Sequence, residues 1–205
     1  MIHRSILALA VLVISVCGPL LAGDEKIELT PFIGYRFGGE FENYSTRQEY
    51  SLASAESYGF TFDFPTSDET KIELLVSRQP TDIKTSGDLG TQRISVDMTY
   101  YQVGALYQPS DDEKVQPFVG ATIGATHMKP DYPDTNSETE FSMTFVGGVK
   151  LHLSEHIGIR LDGRLFATFV NTNSAIFCGG GGCTFGFGGN ALWQGEATAG
   201  LIIAF

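Results

Sequence analysis

Apolar and polar positions alternate along most of this chain. The clearest run has Tyr58, Phe60, Phe62 and Phe64 on one parity, with Gly59, Thr61 and Asp63 on the other. Alternation with a period of two predicts β-strands. The pattern predicts eight of them: 27–37, 57–64, 71–79, 94–107, 115–128, 139–153, 157–170 and 193–205. Most are long enough to cross a bilayer at a tilt.

Short and long connections alternate between these strands. The short ones are 65–70, 109–114 and 154–156, and the long ones are 38–56, 80–93, 129–138 and 171–191. Small transmembrane barrels have short periplasmic turns and long extracellular loops. With both termini on the periplasmic side, an even number of strands puts all four long segments outside. A soluble β-sandwich does not require this arrangement.

The last predicted strand is apolar along one entire face. Counting back from Phe205 in steps of two gives only apolar or small residues as far as Trp193, whereas the other parity is small or polar in its upper part. A face of this kind with an aromatic residue at each tip is typical of a barrel wall in lipid. Because an unpaired backbone group is costly in hydrocarbon, the sheet must close. The sequence therefore predicts an all-β fold, an eight-stranded antiparallel up-and-down transmembrane β-barrel.

The N-terminal segment has the pattern of an export signal. Residues 1–23 contain a short basic region, an apolar stretch and small residues, so they predict a signal peptide cleaved after Ala22 or Gly23. Cys17 raises a lipoprotein alternative, but Val16 stands where lipoprotein processing requires a small residue. No later apolar run approaches the roughly 20 residues of a spanning helix. The barrel domain is therefore expected at 24–205.

Composition agrees with a single membrane-embedded domain. The roughly 180 residues after the leader suit one domain. The chain contains 24 Gly, 15 Phe and 8 Tyr, and only 18% of its residues are charged. Its net charge of −11 argues against a nucleic-acid surface, which requires clustered lysine and arginine.

Two cysteines remain after the leader. Cys178 and Cys183 enclose four glycines, and an even number of cysteines in an exported protein predicts a disulfide. The glycines allow the tight turn that brings the two sulfurs together. The alternative is a metal-binding thiolate pair, but no histidine lies close in sequence to complete a zinc site.

Charged residues alternate with the lipid-facing ones. If Phe60 and Phe145 face lipid, the opposite parity faces the interior. That interior set contains five acids and four bases: Glu28, Arg36, Asp63, Glu73, Lys150, Arg160, Asp162, Arg164 and Glu196. Charges in a narrow lumen must be paired, and an eight-stranded barrel is only wide enough for side chains to fill it. We expect a structural ionic plug, with a narrow gated polar path as the alternative. The alternation is unclear at Asp97, Tyr100 and Tyr101.

These features together resemble a known family. The leader, the alternating strands, the paired glycines (Gly120 and Gly124, Gly147 and Gly148) and the terminal Ala-Gly-Leu-Ile-Ile-Ala-Phe are similar to the small outer-membrane β-barrel proteins of Gram-negative bacteria. These are the porin-like, OmpA/OmpX-type barrel domains, and the resemblance covers the whole mature chain. It implies location in the bacterial outer membrane. A C-terminal Phe205 also resembles the signal that is recognised for insertion.

The resemblance matches no catalytic motif, so we assign no catalytic, cofactor-binding or metal-binding residue. The expected partners are outer-membrane lipids and lipopolysaccharide, together with the barrel assembly machinery during insertion. A nucleic-acid partner is not expected, and the protein is expected to be a monomer.

Three functions remain open from the sequence. The first is a structural or surface-interaction role through the extracellular loops. The second is a small passive channel. The third, a lipid-modifying enzyme, would need a serine, a histidine and a carboxylate within hydrogen-bond reach. His127 lies near an interface, but Met128 and Lys129 follow it rather than a serine two positions on, and Ser142 and Glu140 lie across a loop.

Overall fold

The computed structural model describes residues 26–43, 48–87, 90–109, 114–131, 136–169, 175–179, 182–186 and 191–205. These contain twelve strands: β1 (Glu28–Gly38), β2 (Glu40–Asn43), β3 (Gln48–Leu52), β4 (Ala55–Ser67), β5 (Thr70–Gly87), β6 (Gly90–Tyr107), β7 (Val115–Pro130), β8 (Glu138–His152), β9 (Ile157–Phe169), β10 (Ala175–Gly179), β11 (Gly182–Gly186) and β12 (Leu192–Ala204). Within those ranges, no helix is long and apolar enough to cross a bilayer.

Eight of the strands close into an antiparallel barrel. Their order around the wall is β1, β4, β5, β6, β7, β8, β9 and β12, and β12 pairs with β1. Arg36 of β1 lies opposite Glu196 of β12 in this closing pair. Because each barrel strand has a neighbour on both sides, the sheet has no free edge within the membrane. The predicted eight-stranded barrel is confirmed.

The long connection predicted at 80–93 is wrong. The strands β5 and β6 continue through it, and their pairing runs without interruption to Gly87 opposite Gly90. The alternation continues there with its polarity reversed: Ile83 and Val96 are buried inside, while Asp97 faces outward and is only partly buried. Above the membrane, water lies outside the wall, so the apolar side chains turn inward.

Two further hairpins lie at the same end of the barrel. The first is formed by β2 and β3, and Leu52 of β3 pairs with Ile83 of β5. The second is formed by β10 and β11, which pair only with each other. The opposite end carries the short connections β4–β5, β6–β7 and β8–β9. The three predicted short connections therefore lie at one end, as the sequence predicts, but the β5–β6 connection at the other end is also short.

The wall facing lipid is apolar and bears aromatic residues near its outer end. Six strands each place one exposed aromatic side chain there: Phe37, Tyr58, Tyr101, Phe141, Phe169 and Trp193. We call these six residues the outer aromatic ring. Below it, the outward positions include Ile33, Phe60, Phe145, Leu161 and Leu201, all exposed. This is the apolar band with an interfacial girdle that a bilayer requires.

One irregularity lies at the closing seam between β1 and β12. The pairing is interrupted after Leu29 opposite Ile203 and resumes at Phe32 opposite Gly200, with no change of register. Pro31 falls in this gap and has no backbone N–H to donate. On its other side, Pro31 remains paired with Phe60 of β4.

Candidate functional site

The barrel interior contains a balanced set of buried charges. All nine predicted charged residues point inward and are buried, and Lys71 joins them. The acids are Glu28, Asp63, Glu73, Asp162 and Glu196, and the bases are Arg36, Lys71, Lys150, Arg160 and Arg164. Five negative charges thus face five positive charges in this set, and Glu140, which is also buried and inward-facing, adds a further acid nearer the outer end.

The lower part of this set forms a continuous chain of ion pairs. Glu28 binds the Nζ atoms of Lys71 and Lys150, each at 2.6 Å. Lys150 also binds Asp63 at 2.6 Å, and Arg160 approaches the same Asp63 oxygen at 3.1 Å. These contacts join β1, β4, β5, β8 and β9, so they tie strands from different sides of the barrel together.

The chain ends in a closed ring of four charges. Arg160 binds Glu73 at 2.6 Å and Asp162 at 2.7 Å. Arg164 binds the same two carboxylates, each at 2.9 Å. Because β5 and β9 stand four places apart in an eight-stranded wall, the two arginines reach Glu73 across the lumen. We call these four residues, with Lys71, Glu28, Lys150 and Asp63, the ion-pair network.

Arg36 and Glu196 form a separate pair higher in the barrel. Their closest contact is 2.8 Å, and Arg36 also donates to Ser77 Oγ at 2.7 Å. The guanidinium lies between two aromatic rings, 4.5 Å from the centroid of Tyr100 and 4.3 Å from that of Phe166. Stacking of this kind favours the cation where water is excluded.

The interior carboxylates available to Arg160 and Arg164 are Asp63, Glu73, Asp162 and Glu196, and the strand register favours Glu196 as the partner of Arg164. The two residues lie directly opposite each other on β12 and β9, but no hydrogen bond joins them. Glu196 is equally opposite Arg36 and binds that residue, while Arg164 turns to Glu73 across the barrel. Cross-strand register brings charges near one another, and the closed interior decides which of them pair.

Above this pair the interior becomes apolar. Tyr100 donates to Gln194 at 2.7 Å, and Gln194 donates to Gln79 at 3.2 Å. Over this polar layer lies a packed cluster that we call the apolar cap: Leu52, Ile83, Val96, Met98, Met128 and Leu192, each no more than 8% exposed. The cap lies at the outer end of the described interior, and its side chains are apolar.

Two parts of this interior were missed from the sequence. Lys71 shares its parity with Glu73 two residues later, so it satisfied the same criterion as the nine predicted residues. The apolar cap is harder to find, because its residues stand on the parity assigned to polar interior positions. The unclear alternation around Tyr100 and Tyr101 was the available signal: Tyr100 is fully buried inside and Tyr101 is 53% exposed outside.

The candidate hydrolase residues do not come together. His127 faces outward, and its Nδ1 lies 2.9 Å from Thr139 Oγ1. Ser142 is buried inside and accepts a hydrogen bond from Gln102, and Glu140 also faces inward. The wall of the barrel therefore separates the histidine from the other two. Among the described residues, no three His, Cys, Asp or Glu side chains are grouped as metal ligands.

The remaining predicted features are Phe205, the cysteine pair and the signal peptide. Phe205 is 64% exposed, and its N–H donates to the Ile27 carbonyl at 3.0 Å, beside the periplasmic rim. The backbone register of β10 and β11 places Cys178 opposite Cys183. Their disulfide stays a prediction. The predicted signal peptide, 1–23, lies outside the described residues.

A cavity opens on the outer wall of the barrel, where β5, β6 and β7 rise above the outer aromatic ring. Its volume is about 550 Å³. The chain between β3 and β4, at 53–55, also borders it, and its polar and charged lining is Ser54, Thr81, Asp82, Ser95, Asp97, Lys129 and Asp131. One row lower, Arg78 donates to Asp97 at 2.7 Å, and the hydrogen bond and the charge of Asp97 raise the pKa of the Arg78 guanidinium. We call this the outer-wall cavity.

A family match spans nearly the whole chain. The outer membrane protein beta-barrel domain family matches residues 8–202. The chain belongs to this family. Its members are bacterial outer-membrane proteins, and the outer membrane is therefore where this chain resides. A search of curated proteins finds no match.

Solved structures share the family fold. The Neisserial surface protein A is 13% identical with a TM-score of 0.59, over 87% of this chain and 97% of its own. OprG from Pseudomonas aeruginosa is 11% identical with a TM-score of 0.55, over 88% of this chain and 93% of its own. The N-terminal barrel domain of OprF from Pseudomonas aeruginosa is 13% identical with a TM-score of 0.46, over 88% and 99%. The first two show a common fold at low identity.

Proposed function

We propose that this chain is a closed, non-enzymatic outer-membrane barrel that acts through the structures it holds above the membrane. The observation that carries this proposal is the filled lumen. The ion-pair network crosses the lower half, Arg36 and Glu196 occupy the middle, and the apolar cap covers the top. A solute that entered from either side would have to displace one of these layers.

The energetics of the network support a structural role. A buried charge without its partner costs several kcal/mol, so each ion-pair network residue is held by the others. Hydrophobic constrictions such as the apolar cap also stop conduction by excluding water. The two layers therefore block ions by different mechanisms, one through fixed charge pairs and one through the absence of water.

Conductance in planar bilayers tests this proposal. The purified barrel should insert without producing single-channel steps. A variant that opens both layers, Arg160→Ala with Met98→Ala, should give small steps where each single variant gives none. Well-resolved steps from the wild-type protein would overturn the proposal and favour the passive-channel alternative.

The part of the molecule above the membrane supplies the surface for partners. There the β2–β3 hairpin joins the extended β5–β6 hairpin in one sheet. Residues 39–56 carry four acids and one base: Glu40, Glu42, Glu49, Glu56 and Arg47. An acidic protruding sheet fits a surface partner with positive charge, because complementary potentials speed association and favour the correct partner.

Adhesion of cells that display the barrel tests this surface role. A non-adherent bacterium producing the wild-type protein should bind a positively charged surface more strongly than one producing a variant with residues 40–51 replaced by a short turn. Migration on gels with and without heating would show that both barrels fold. Equal adhesion would remove the hairpin from the proposal.

We also infer that the terminal aromatic residue serves recognition by the barrel assembly machinery. Phe205 is mostly exposed, and its side chain is free of the buried core. Pulse-chase of a chain truncated at Ala204 should therefore show delayed barrel formation with normal final stability. Unchanged assembly kinetics would leave Phe205 as part of the periplasmic rim only.

A further inference from the structure

The outer-wall cavity has an ordered arrangement of charge along the barrel axis. Its strands rise out of the apolar band at Val76, Tyr101 and Ala125, which lie side by side on β5, β6 and β7. Two residues further along each strand, the next outward row contains Arg78 and His127 on either side of Thr99. The first polar row above the lipid tails is thus the row of the Arg78 guanidinium.

The next outward rows of β5, β6 and β7 also contain charged residues. Lys129 of β7 lies opposite Asp97 of β6, but Asp97 is bound to Arg78, and Lys129 has no ion pair among the described residues. Further out come Asp82 and Asp131 on either side of Ser95, whose carbonyl accepts the Asp131 N–H at 2.9 Å. Moving away from the membrane, the cations Arg78 and Lys129 therefore come before the carboxylates Asp82 and Asp131, and the Asp97 carboxylate between them is bound to Arg78.

The groups that remain available have opposite charges. Asp82 accepts a hydrogen bond from Ser95 at 2.8 Å, and Asp97 accepts one from Arg78 at 2.7 Å. The Lys129 ammonium and the Asp131 carboxylate make no side-chain hydrogen bond or ion pair within the described part of the chain. A ligand would thus meet one free cation near the membrane and one free anion further out.

This order matches one class of lipid headgroup. In a phosphoethanolamine headgroup the phosphate is attached next to the lipid tails, and the ammonium follows through a short ethyl linker. We propose that the outer-wall cavity binds a zwitterionic phosphate–amine headgroup of a membrane lipid. Lys129, with Arg78 beside it, receives the phosphate, and Asp131, with Asp82 beside it, receives the ammonium.

The remaining features of the site agree with this ligand. The cavity, at about 550 Å³, is within the range of small-ligand sites and exceeds what one headgroup needs. A purely anionic headgroup would meet Asp82 and Asp131 without neutralising them. A simple divalent cation would leave Lys129 facing it. The site lies on the outer face of the wall, just above the apolar band and outside the lumen, so the proposal is independent of whether the lumen conducts.

Lipid binding in detergent, measured by native mass spectrometry, tests the proposal. The probes are phosphatidylethanolamine, phosphatidylglycerol and soluble phosphoethanolamine. Wild-type protein should retain phosphatidylethanolamine more than phosphatidylglycerol, and both lipids more than soluble phosphoethanolamine. Equal retention of the two lipids would overturn the zwitterionic assignment, and equal affinity for soluble phosphoethanolamine would overturn the assignment to a lipid.

Two variants test the cation and the anion of the site separately. Lys129→Gln should weaken binding of both lipids, and Asp131→Asn should weaken only phosphatidylethanolamine, each by about two- to fivefold, the effect of one partly exposed ion pair. The control is Lys26→Gln, which removes a positive charge at the opposite rim, where Lys26 binds Glu155 at 3.6 Å. If Lys129→Gln and Asp131→Asn bind like the control, the cavity is not the site. Heat-dependent gel migration should be unchanged in all three variants.

Discussion

The two halves of this barrel are built with opposite polarity. In the membrane, the outward positions are apolar and the inward positions carry ten paired charges. Above the outer aromatic ring, the inward positions form the apolar cap, and Arg78, Asp97 and Lys129 stand outside. The same strands run through both halves, so the secondary structure is the same and only the solvent differs.

This difference teaches that alternation and polarity carry separate information. A period of two predicts a strand wherever it occurs. Which parity is apolar depends on whether lipid or water lies outside the wall. The reversal near Val76 on β5 and Tyr101 on β6 therefore marks the outer surface of the membrane.

Removing a network charge should have the largest effect. Arg160→Ala leaves Asp63, Glu73 and Asp162 short of a cation, so the free energy of unfolding should fall by about 3–5 kcal/mol. The matched control is Arg78→Ala, which breaks an exposed pair with Asp97 above the membrane and should cost about 0.2–1 kcal/mol. Urea unfolding in lipid vesicles measures both. Equal losses would mean that the lumen is hydrated and that its charges are screened.

Truncating a side chain of the apolar cap should destabilise the protein as it does in the core of a soluble protein. Met98 is 1% exposed, so Met98→Ala leaves an internal cavity and should cost about 2–5 kcal/mol. Met143→Ala makes the same change on the lipid-facing wall, where lipid tails fill the space and the loss should be much smaller. Unfolding midpoints of the two variants provide the test. Similar losses at both positions would contradict the proposed difference between the two regions.

Charges introduced at outward positions should also reveal the reversal of polarity along the wall. Leu161→Arg puts a charge against the middle of the bilayer and should cost about 2–4 kcal/mol. Thr99→Arg, in the row above Tyr101, should cost about 0–1 kcal/mol because that position is near the interface. Both residues face outward, so only their depth differs. A strong effect at Thr99 would place the membrane surface higher on the barrel than the reversal indicates.

The smallest effect is expected in the hairpin formed by β10 and β11. The disulfide predicted between Cys178 and Cys183 closes a short loop, which limits its stabilisation to about 2–3 kcal/mol. Cys178→Ser should leave the barrel folded and make this hairpin more sensitive to protease. Alkylation of protein purified without reductant should find no free thiol. Labelling of both cysteines would reject the disulfide.

Much of this architecture could be predicted from the sequence because the same alternation of outward and inward positions recurs in every barrel strand. Each strand alternates with a period of two, so the eight strands and the inward position of residues such as Arg160 follow from counting. The sequence offers Asp63, Glu73, Asp162 and Glu196 as partners of Arg164 but not the choice among them, since Glu73 reaches Arg164 across the lumen from a strand distant in sequence. The apolar cap and the outer-wall cavity also required the strand register, which aligns Asp97 with Lys129.

The pairing between the first and last strands of the barrel, β1 and β12, is interrupted at Pro31. The other paired strands of the wall follow one another along the chain or are separated only by an outer hairpin. The pairing of β1 with β12 instead joins the first and last strands of the barrel, and it lacks backbone pairs at residues 30 and 31. Backbone bonds in a region of weaker pairing open more often. Amide protons of β12 beside this gap should therefore exchange with solvent deuterium sooner than those of β8. The closed wall is therefore expected to open first along the pairing of β1 with β12, beside Pro31.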